Sequence, residues 1–203
     1  MIRVVAFDVM DTLLRDPFRE ALQAATGLGL AELFARRDPE LYPAFERGEV
    51  SEATYWQGYL PRGITADPEA FHRVRRAGTH WLPGMEALVA ELGGRVRLVT
   101  ASNYPVWIEE LAQGLLAGRF EAVLASHHLG VRKPEAAFYT ALLERIGAGP
   151  GEVAFVDDRE VNVAGAREVG LAAHHFTDAE GLRAWLVAEG VLADGAGARP
   201  GDP

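Results

Sequence analysis

The chain contains no cysteine among its 203 residues. Disulfide bonds, thiol nucleophiles and cysteine-ligated metal sites are therefore excluded, and the redox compartment is left undetermined. The sequence also lacks an apolar run near the roughly 18 residues that a membrane-spanning helix needs. Its first apolar run ends at Asp8, without the pattern of a secretory leader. We therefore expect a cytoplasmic protein with no membrane partner.

An excess of positive charge is also missing, since 20 lysines and arginines face 29 acids, for a formal net charge of −9. This balance argues against a nucleic acid or an anionic membrane surface as partner. It does not exclude a small anionic substrate, because a bound metal ion reverses the field of an acidic site. Hydrophobic residues make up 49% of the chain, enough for one large domain or for a core with a small accessory domain.

The first candidate site follows a short apolar run at the amino terminus. Val4 to Phe7 is too short for a helix and rich in β-branched residues, which predicts a strand buried on both faces. Asp8 stands at the carboxyl end of that strand. Ligands of open α/β sheets bind just beyond the carboxyl ends of the strands, so Asp8 is a candidate nucleophile or metal ligand. Capping of the following loop is the alternative role.

The second half of the chain alternates between strand and helix patterns. Further strands are predicted at 96–100, 122–125, 153–156 and 171–175, with helical spacing between them. This alternation predicts an α/β fold with a doubly wound, mostly parallel sheet. The tail at 193–203 consists mainly of Gly, Ala, Pro and Asp, and we expect it to be disordered.

Helical spacing without a convincing strand fills the chain from Pro17 to about Gly78. This segment follows the first strand and its loop, so it would lie over the carboxyl edge of the sheet, where a lid over the site belongs. Tyr55, Trp56 and Tyr59 form an aromatic stripe within it. We expect these rings to form the core of a helical bundle, with a substrate surface as the alternative.

Polar residues suited to phosphoryl transfer follow four of the predicted elements. They are Asp8 and Asp11, the stretch Thr100-Ala101-Ser102-Asn103, the loop Arg132-Lys133, and Asp157 and Asp158 with Asn162. Each group is a weak signal alone, but their order and their positions at strand ends make a strong combined signal.

With these motifs the sequence resembles the haloacid dehalogenase-like superfamily, and in particular its phosphatases. The stretches 45–51 and 129–135 resemble small-capped bacterial sugar-phosphate phosphatases. The resemblance implies a Rossmann-like core at 1–14 and 82–192 with a small all-helical cap at 15–81 inserted after the first strand. It also implies hydrolysis of a small phosphorylated metabolite, with a sugar phosphate as one candidate.

The resemblance assigns the nucleophile to Asp8, which would form an aspartyl-phosphate and so divide the hydrolysis into two easier steps. It implies a Mg²⁺ ion held by Asp8, Asp158 and the backbone carbonyl of Met10. Asp157 would be a further ligand or would position the others. Asn162 is expected to orient Asp158 or the lysine at position 133, with a solvent-facing helix position as the alternative.

The phosphate group of the substrate would be bound by the motif after the second strand. We assign the contact to the Thr100 hydroxyl, with Ser102 as the rival, helped by backbone N–H groups such as that of Ala101. Lys133 would compensate the negative charge of Asp8 and the phosphate. A solvated surface lysine is the alternative for Lys133.

One position departs from the family pattern. The phosphatases of the family usually carry a second Asp two residues after the nucleophile as general acid and base, and this chain has Met10 there. Asp11 stands where the family commonly has glycine, and bracing of the loop is its expected role. General acid–base catalysis contributes roughly 10²–10⁴-fold, so a phosphatase without it should be slow.

Three functions follow from these residues. The first is a Mg²⁺-dependent phosphatase. The second is a catalytically silent member that binds a metal with a phosphate-like ligand, or a partner protein, which Met10 favours. The third is a metal-free 2-haloacid dehalogenase, against which the adjacent acids Asp157 and Asp158 argue. The sequence identifies neither the substrate nor the oligomeric state.

Overall fold

A computed structural model of the protein describes residues 1–193, and four strands in that part of the chain form one parallel sheet. They are β1 (Val4–Phe7), β2 (Arg97–Thr100), β3 (Val153–Asp157) and β4 (Ala172–His175), in the spatial order β2-β1-β3-β4. The sheet extends from β1 toward β2 on one side and from β3 toward β4 on the other. The carboxyl ends of β1 and β3 therefore border the crevice where such sheets bind ligands.

Helices fill most of the remaining described chain. They are α1 (Phe18–Thr26), α2 (Leu30–Arg36), α3 (Leu41–Glu46), α4 (Glu52–Gln57), α5 (Pro68–Gly78), α6 (Met85–Leu92), α7 (Ile108–Gln113), α8 (Ser126–Leu129), α9 (Ala136–Ile146), α10 (Glu160–Glu168) and α11 (Ala179–Ala188), with short 3₁₀ turns at Leu60–Arg62 and Pro150–Glu152. None of the helices in residues 1–193 combines the length and the apolar character that crossing a membrane requires. The tail predicted to be disordered lies, apart from its first residue, outside the described residues.

The sheet is covered on both faces, as its apolar strands predict. Val4 and Ala6 of β1 pack in one hydrophobic cluster with residues of α9 and α10. Val5 and Phe7 point to the opposite face and pack in a second cluster with residues of α6, α7 and α11. Neighbouring residues of a strand face opposite sides of a sheet. Because helices cover both sides, all four side chains are inaccessible to solvent. The predicted doubly wound α/β fold is therefore confirmed.

One predicted strand does not form. The segment 122–125 runs beside β2 but makes only isolated bridges, Val99 with Ala122 and Ser102 with Ala125. The Thr100 hydroxyl accepts a hydrogen bond from the Leu124 N–H at 2.8 Å and donates one to the Leu124 carbonyl at 2.9 Å. Because a side chain takes both backbone groups of Leu124, the regular ladder is interrupted there.

The helical segment between β1 and α6 contains no strand in residues 15–80. Its two ends run side by side, since the Arg15 N–H donates to the His80 carbonyl and the Leu82 N–H donates to the Leu13 carbonyl, each at 2.9 Å. The segment thus leaves the core at one narrow point and returns beside it.

The aromatic stripe lies in the interior, as predicted. Tyr55 and Tyr59 are at most 1% exposed and Trp56 is 8% exposed. The rings of Tyr55 and Trp56 also contact Trp107, which precedes α7 of the sheet domain. The helical segment and one face of the sheet therefore share a continuous hydrophobic core, which holds the segment over the sheet.

Candidate active site

Two carboxylates and a lysine form the centre of the site. In the register of the sheet Phe7 pairs with Val156, so Asp8 and Asp157 leave neighbouring strands side by side. The Lys133 Nζ lies 3.0 Å from Asp8 Oδ1 and 2.5 Å from Asp157 Oδ2. All three residues are buried. Their burial is compatible with folding because the ammonium group pairs with both carboxylates.

The pKa values of Asp8 and Lys133 are both raised, but by different causes. Burial raises the pKa of Asp8, and Asp157 raises it further, while Lys133 opposes the shift. Burial disfavours the charge on Lys133, but Asp8 and Asp157 outweigh that effect and raise the pKa of Lys133 above its ordinary value. Lys133 therefore remains an ammonium group beside Asp8, rather than the solvated surface lysine considered as the alternative.

Asp157 has donors on both of its oxygens. Besides the contact of Lys133 with Oδ2, Oδ1 accepts hydrogen bonds from the Asn162 side-chain amide and the Arg159 backbone N–H, each at 2.9 Å. Asn162 therefore orients Asp157, not Asp158 or Lys133 as the sequence analysis expected. The fully buried Asp157 carboxylate has the surroundings of a group that positions Lys133.

The acids nevertheless form a cluster that fits a metal ion. One oxygen from each of Asp8, Asp157 and Asp158 lies within 4.8 Å of the others. Burial, and then Asp8 and Asp157, raise the pKa of Asp158 to about 7. Carboxylate oxygens are the ligands that Mg²⁺ prefers, and a divalent ion would relieve the repulsion among these acids. Asp8 and Asp158 are the better placed pair, since Asp157 is already occupied.

Asp8, Lys133 and Asp158 line a cavity of about 170 Å³. It lies between the part of the chain that contains the sheet, here called the sheet domain, and the helical segment at 15–81. The sheet domain contributes Asp8, Met10, Asp11, Ser102, Asn103, Tyr104, Arg132, Lys133, Asp158, Arg159 and Asn162, and the helical segment contributes Asp16, Phe18, Tyr42 and Glu46. Residues from both parts therefore enclose the candidate nucleophile.

Thr100, Ala101 and Ser102, at and after the end of β2, have different surroundings in the fold. The Thr100 hydroxyl is inaccessible and is occupied by the backbone of Leu124, and the Ala101 N–H donates to the Phe7 carbonyl at 2.7 Å. Neither group reaches the cavity, in contrast to the roles expected from the sequence. Ser102 does line it, and its buried hydroxyl has no hydrogen-bond partner within the described residues. That hydroxyl lies beside Asp8 and lowers the pKa of the carboxyl group.

The family model for haloacid dehalogenase-like hydrolases matches residues 2–170 of the chain. The protein belongs to this family. The chain is 31% identical over 181 residues to Flavin mononucleotide hydrolase 1 from Arabidopsis thaliana, with 88% of this chain and 74% of that protein covered. The family resemblance inferred from the motifs is therefore confirmed.

Solved structures of haloacid dehalogenase-like enzymes have the same fold. One from Bacteroides thetaiotaomicron, in complex with magnesium and inorganic phosphate, superposes with a TM-score of 0.74 at 17% identity, covering 90% of this chain and 99% of that one. The L-2-haloacid dehalogenase from Xanthobacter autotrophicus superposes with a TM-score of 0.62 at 20% identity, covering 95% and 85%. At these identities the likeness concerns the fold alone.

Two positioning residues of this hydrolase were not assigned from the sequence. The Asn103 side chain accepts a hydrogen bond from the Lys133 N–H at 2.8 Å and donates one to the Lys133 carbonyl at 2.9 Å. The Thr12 hydroxyl accepts a hydrogen bond from the Asp158 N–H at 3.1 Å. Asn103 stands three residues after the end of β2 and Thr12 five residues after the end of β1, and those loop positions were the available signal. Their partners are 30 and 146 residues away.

A third omission is an ion pair across the cavity. Glu46 of α3 lies 2.6 Å from the guanidinium group of Arg132, which precedes Lys133. Burial raises the pKa of Glu46 to about 7 against the opposing effect of Arg132. The pair closes the cavity between the helical segment and the sheet domain.

Asp11 has the geometry that a bracing residue requires. Its φ of 56° lies in the left-handed region, which favours the glycine that the family commonly has there. Its Oδ1 accepts a hydrogen bond from the Asp16 N–H at 3.0 Å, and Asp11 itself is exposed. The side chain thus ties the loop after β1 to the start of the helical segment.

Proposed function

We propose that this hydrolase removes the phosphate group from a small phosphorylated metabolite in a Mg²⁺-dependent reaction that passes through an aspartyl-phosphate on Asp8. The observation that carries the proposal is the convergence of Asp8, the Lys133 ammonium group and the free Ser102 hydroxyl on one enclosed cavity beside a cluster of acids. These are the groups that displacement at phosphorus requires.

Each residue has a distinct part in the proposed reaction. The Asp8 carboxylate attacks phosphorus, and the Lys133 ammonium group neutralises charge on Asp8 and on the phosphate oxygens. Ser102 donates a hydrogen bond to a phosphate oxygen, the role that the sequence first suggested for Thr100. Asp157, Asn162 and Asn103 hold Lys133 in place through the hydrogen bonds around it. The Ala101 N–H, which donates to the Phe7 carbonyl, has no part in the proposed phosphate site.

The proposed Mg²⁺ ligands are Asp8, Asp158 and the backbone carbonyl of Met10. When bound, the ion would neutralise phosphate charge and align the phosphoryl group for displacement. Thr12 supports this set through its hydrogen bond with the Asp158 N–H. Asp157 would position the neighbouring groups and would not bind the ion itself, because its oxygens already accept hydrogen bonds from Lys133, Asn162 and the Arg159 N–H.

The size of the cavity limits what it can enclose. About 170 Å³ holds a phosphate group and the first few atoms of the leaving group. The helical segment contributes Asp16, Phe18, Tyr42 and Glu46 to the wall of this cavity, so we propose that residues 15–81 form a cap that selects the leaving group. Sugar phosphates are expected substrates. Flavin mononucleotide is a further candidate, because the Arabidopsis relative is named as a flavin mononucleotide hydrolase.

The test is phosphate release by the purified protein with Mg²⁺, first from para-nitrophenyl phosphate and then from a panel of sugar phosphates and flavin mononucleotide. Turnover should disappear in the Asp8→Asn variant, which keeps the shape of the side chain, and after removal of divalent ions with EDTA. Circular dichroism of the variant confirms that it is folded. Release by wild type no faster than by folded Asp8→Asn on every ester would refute the proposal.

One observation favours the silent binder as a second candidate. Met10 lines the cavity at the position where family phosphatases carry their acid, so no ionisable side chain occupies that position. A silent member would bind phosphate with Mg²⁺ in calorimetry and release none from any ester. The dehalogenase alternative requires halide release from a 2-haloacid without metal, and the clustered acids give it no support.

A further inference from the structure

The cavity contains an acid that the proposed reaction has not used. Asp16 lies on the connection between β1 and α1, and its side chain lines the same cavity as Met10 and Asp8. It makes no ion pair with a basic residue of the described chain. A carboxyl group free of cations can hold and release a proton, whereas the thioether of Met10 cannot.

The position of Asp16 is held by backbone contacts on both sides. Its N–H donates to the Asp11 carboxylate at 3.0 Å, and its own Oδ1 accepts a hydrogen bond from the Phe18 N–H at 2.9 Å. Asp11 adjoins Met10, so these bonds keep Asp16 next to the loop in which the family acid would stand. A residue that only capped α1 would not need to line the cavity.

The surroundings of Asp16 suit proton transfer near neutral pH. Burial raises the pKa of Asp16 to about 6, and the neighbouring charges of Asp11, Asp8 and Glu20 act in the same direction, while the Phe18 N–H opposes them. Of the other elements around the cavity, Tyr42 and Tyr104 line it together with Asp16, and burial and the charge of Asp16 raise the pKa of both phenols. Because their pKa values are raised, both phenols stay neutral and do not exchange protons near neutral pH, where Asp16 does.

We propose that Asp16 is the general acid and base of this hydrolase, in place of the acid that Met10 cannot supply. The inference rests on the proposed phosphatase function. It concerns a catalytic residue on the helical segment side of the cavity, six positions after the usual one.

The proposed proton transfers balance over two steps. In the first, the Asp8 oxygen forms a bond to phosphorus, the bond from phosphorus to the ester oxygen breaks, and protonated Asp16 gives its proton to that oxygen, which leaves as an alcohol. In the second, water attacks phosphorus while ionised Asp16 takes one of its protons. The bond between Asp8 and phosphorus breaks, inorganic phosphate leaves, and Asp16 is protonated again.

Other acids of the cavity are less suited to this role. Glu46 is engaged in its ion pair with the guanidinium group of Arg132 at 2.6 Å, whereas Asp16 pairs with no basic residue within residues 1–193. Asp158 belongs to the cluster proposed to hold the metal. Asp11 is exposed and already accepts the hydrogen bond from Asp16.

The test compares wild type with Asp16→Asn, whose side-chain oxygen can still accept the bond from Phe18. Two esters are used at fixed Mg²⁺: para-nitrophenyl phosphate, whose leaving group needs no proton, and an alkyl phosphate such as a sugar phosphate. Glu32→Gln is the matched control, because Glu32 is an exposed acid of the helical segment that pairs with Arg36 outside the cavity.

In Asp16→Asn, kcat/KM for the alkyl ester should fall about 10²-fold or more, and kcat/KM for the aryl ester by less than about fivefold. The aryl ester should also show a burst of product followed by a lowered kcat, because the second step lacks its base. Glu32→Gln should match wild type. Introducing Met10→Asp into Asp16→Asn should restore part of the alkyl activity, since it places a carboxyl group at the family position.

Equal losses on both esters without a burst, or no loss, would overturn the inference while leaving the phosphatase intact. The same ester-dependent pattern in Glu46→Gln, with Asp16→Asn active, would assign the role to Glu46. If Asp16→Asn does not fold, Asp16→Ser, which also caps α1 without an ionisable group, must show the predicted split. Wild type inactive on every ester would refute the proposed function, and this inference with it.

Discussion

The two hydroxyls after β2 should respond differently to substitution, because Thr100 stabilises the fold and Ser102 is proposed to bind phosphate. Thr100→Val removes the hydroxyl that joins both backbone groups of Leu124, which lie in the buried segment beside β2. The Leu124 carbonyl keeps the Ser102 N–H as a donor at 3.3 Å, so the change orphans only the Leu124 N–H. An orphaned buried N–H costs about 1–3 kcal/mol, and the free energy of unfolding should fall by about that amount. For a chain of this length the melting temperature should drop by about 2–12 °C.

Ser102→Ala should behave in the opposite way. Its hydroxyl is buried at the cavity and has no hydrogen-bond partner within residues 1–193, so removing it leaves no protein group unpaired. Stability should change by less than about 1 kcal/mol. A hydrogen bond to a charged phosphate contributes about 1.5–3 kcal/mol, so kcat/KM for a phosphate ester should fall about 10- to 100-fold.

Thermal unfolding followed by circular dichroism and steady-state phosphate release measure both effects on the same samples. Thr100→Ser is the control for Thr100→Val, because it keeps the hydroxyl and should retain most of the stability. A stable Thr100→Val with weakened phosphate binding, together with a destabilised but fully active Ser102→Ala, would refute the reasoning. It would return the phosphate contact to Thr100, as the sequence first suggested.

Three further predictions concern other residues around the cavity. Lys133→Met should abolish turnover and lower the free energy of unfolding by roughly 3–5 kcal/mol at pH 8. The loss should be smaller at pH 5, because burial raises the pKa of Asp8 and its unpaired carboxylate takes up a proton more readily there; urea unfolding at both pH values checks this. The pKa of Asp16 is raised from 3.8 to about 6 in the fold, so the native protein binds this proton up to a higher pH than the unfolded chain does. Wild type should therefore lose stability relative to Asp16→Asn as pH rises from about 4 to 6. Above that range the variant should be more stable by roughly 2 kcal/mol, and an equal difference at pH 4 and pH 8 would contradict the cause given for the shift. A methyl group added by Gly165→Ala would lie 2.7 Å from the Pro134 carbonyl oxygen, so it should displace the loop of Lys133 and lower kcat at least about tenfold, whereas Gly151→Ala, whose added methyl meets nothing within 4 Å, should match wild type.

Local pattern was sufficient to predict that Asp8, Asp157 and Asp158 lie together at one edge of the sheet. The apolar runs before Asp8 and Asp157 predict buried strands, and parallel strands place their carboxyl ends along one edge of the sheet. The order of the motifs then indicates the family and the cation at Lys133. The helical nature of the segment after β1 also follows from local spacing alone.

The same reasoning could not choose between Thr100 and Ser102, because both are hydroxyls near the end of one strand. The choice depends on Leu124, whose backbone takes the Thr100 hydroxyl and leaves Ser102 as the free group at the cavity. The segment of Leu124 was predicted as a strand, and in a regular strand its backbone groups would have paired with the backbone of β2. Strand propensity describes the residues of a segment and not the side chain that competes for its hydrogen bonds.

By itself the sequence determined the strands, the helical insertion, the family and the types of residue at the site, because these depend on neighbours within a few positions. Only the tertiary structure decided which groups meet: Asn103 bonds to Lys133 from 30 residues away, Asn162 donates to Asp157, and Asp16 of the helical segment lines the same cavity as Asp8. The physical reason is that a buried polar group bonds to whichever donor or acceptor the packing brings within about 3 Å. Packing is a property of the whole chain, so residues of one type at similar positions acquire different roles.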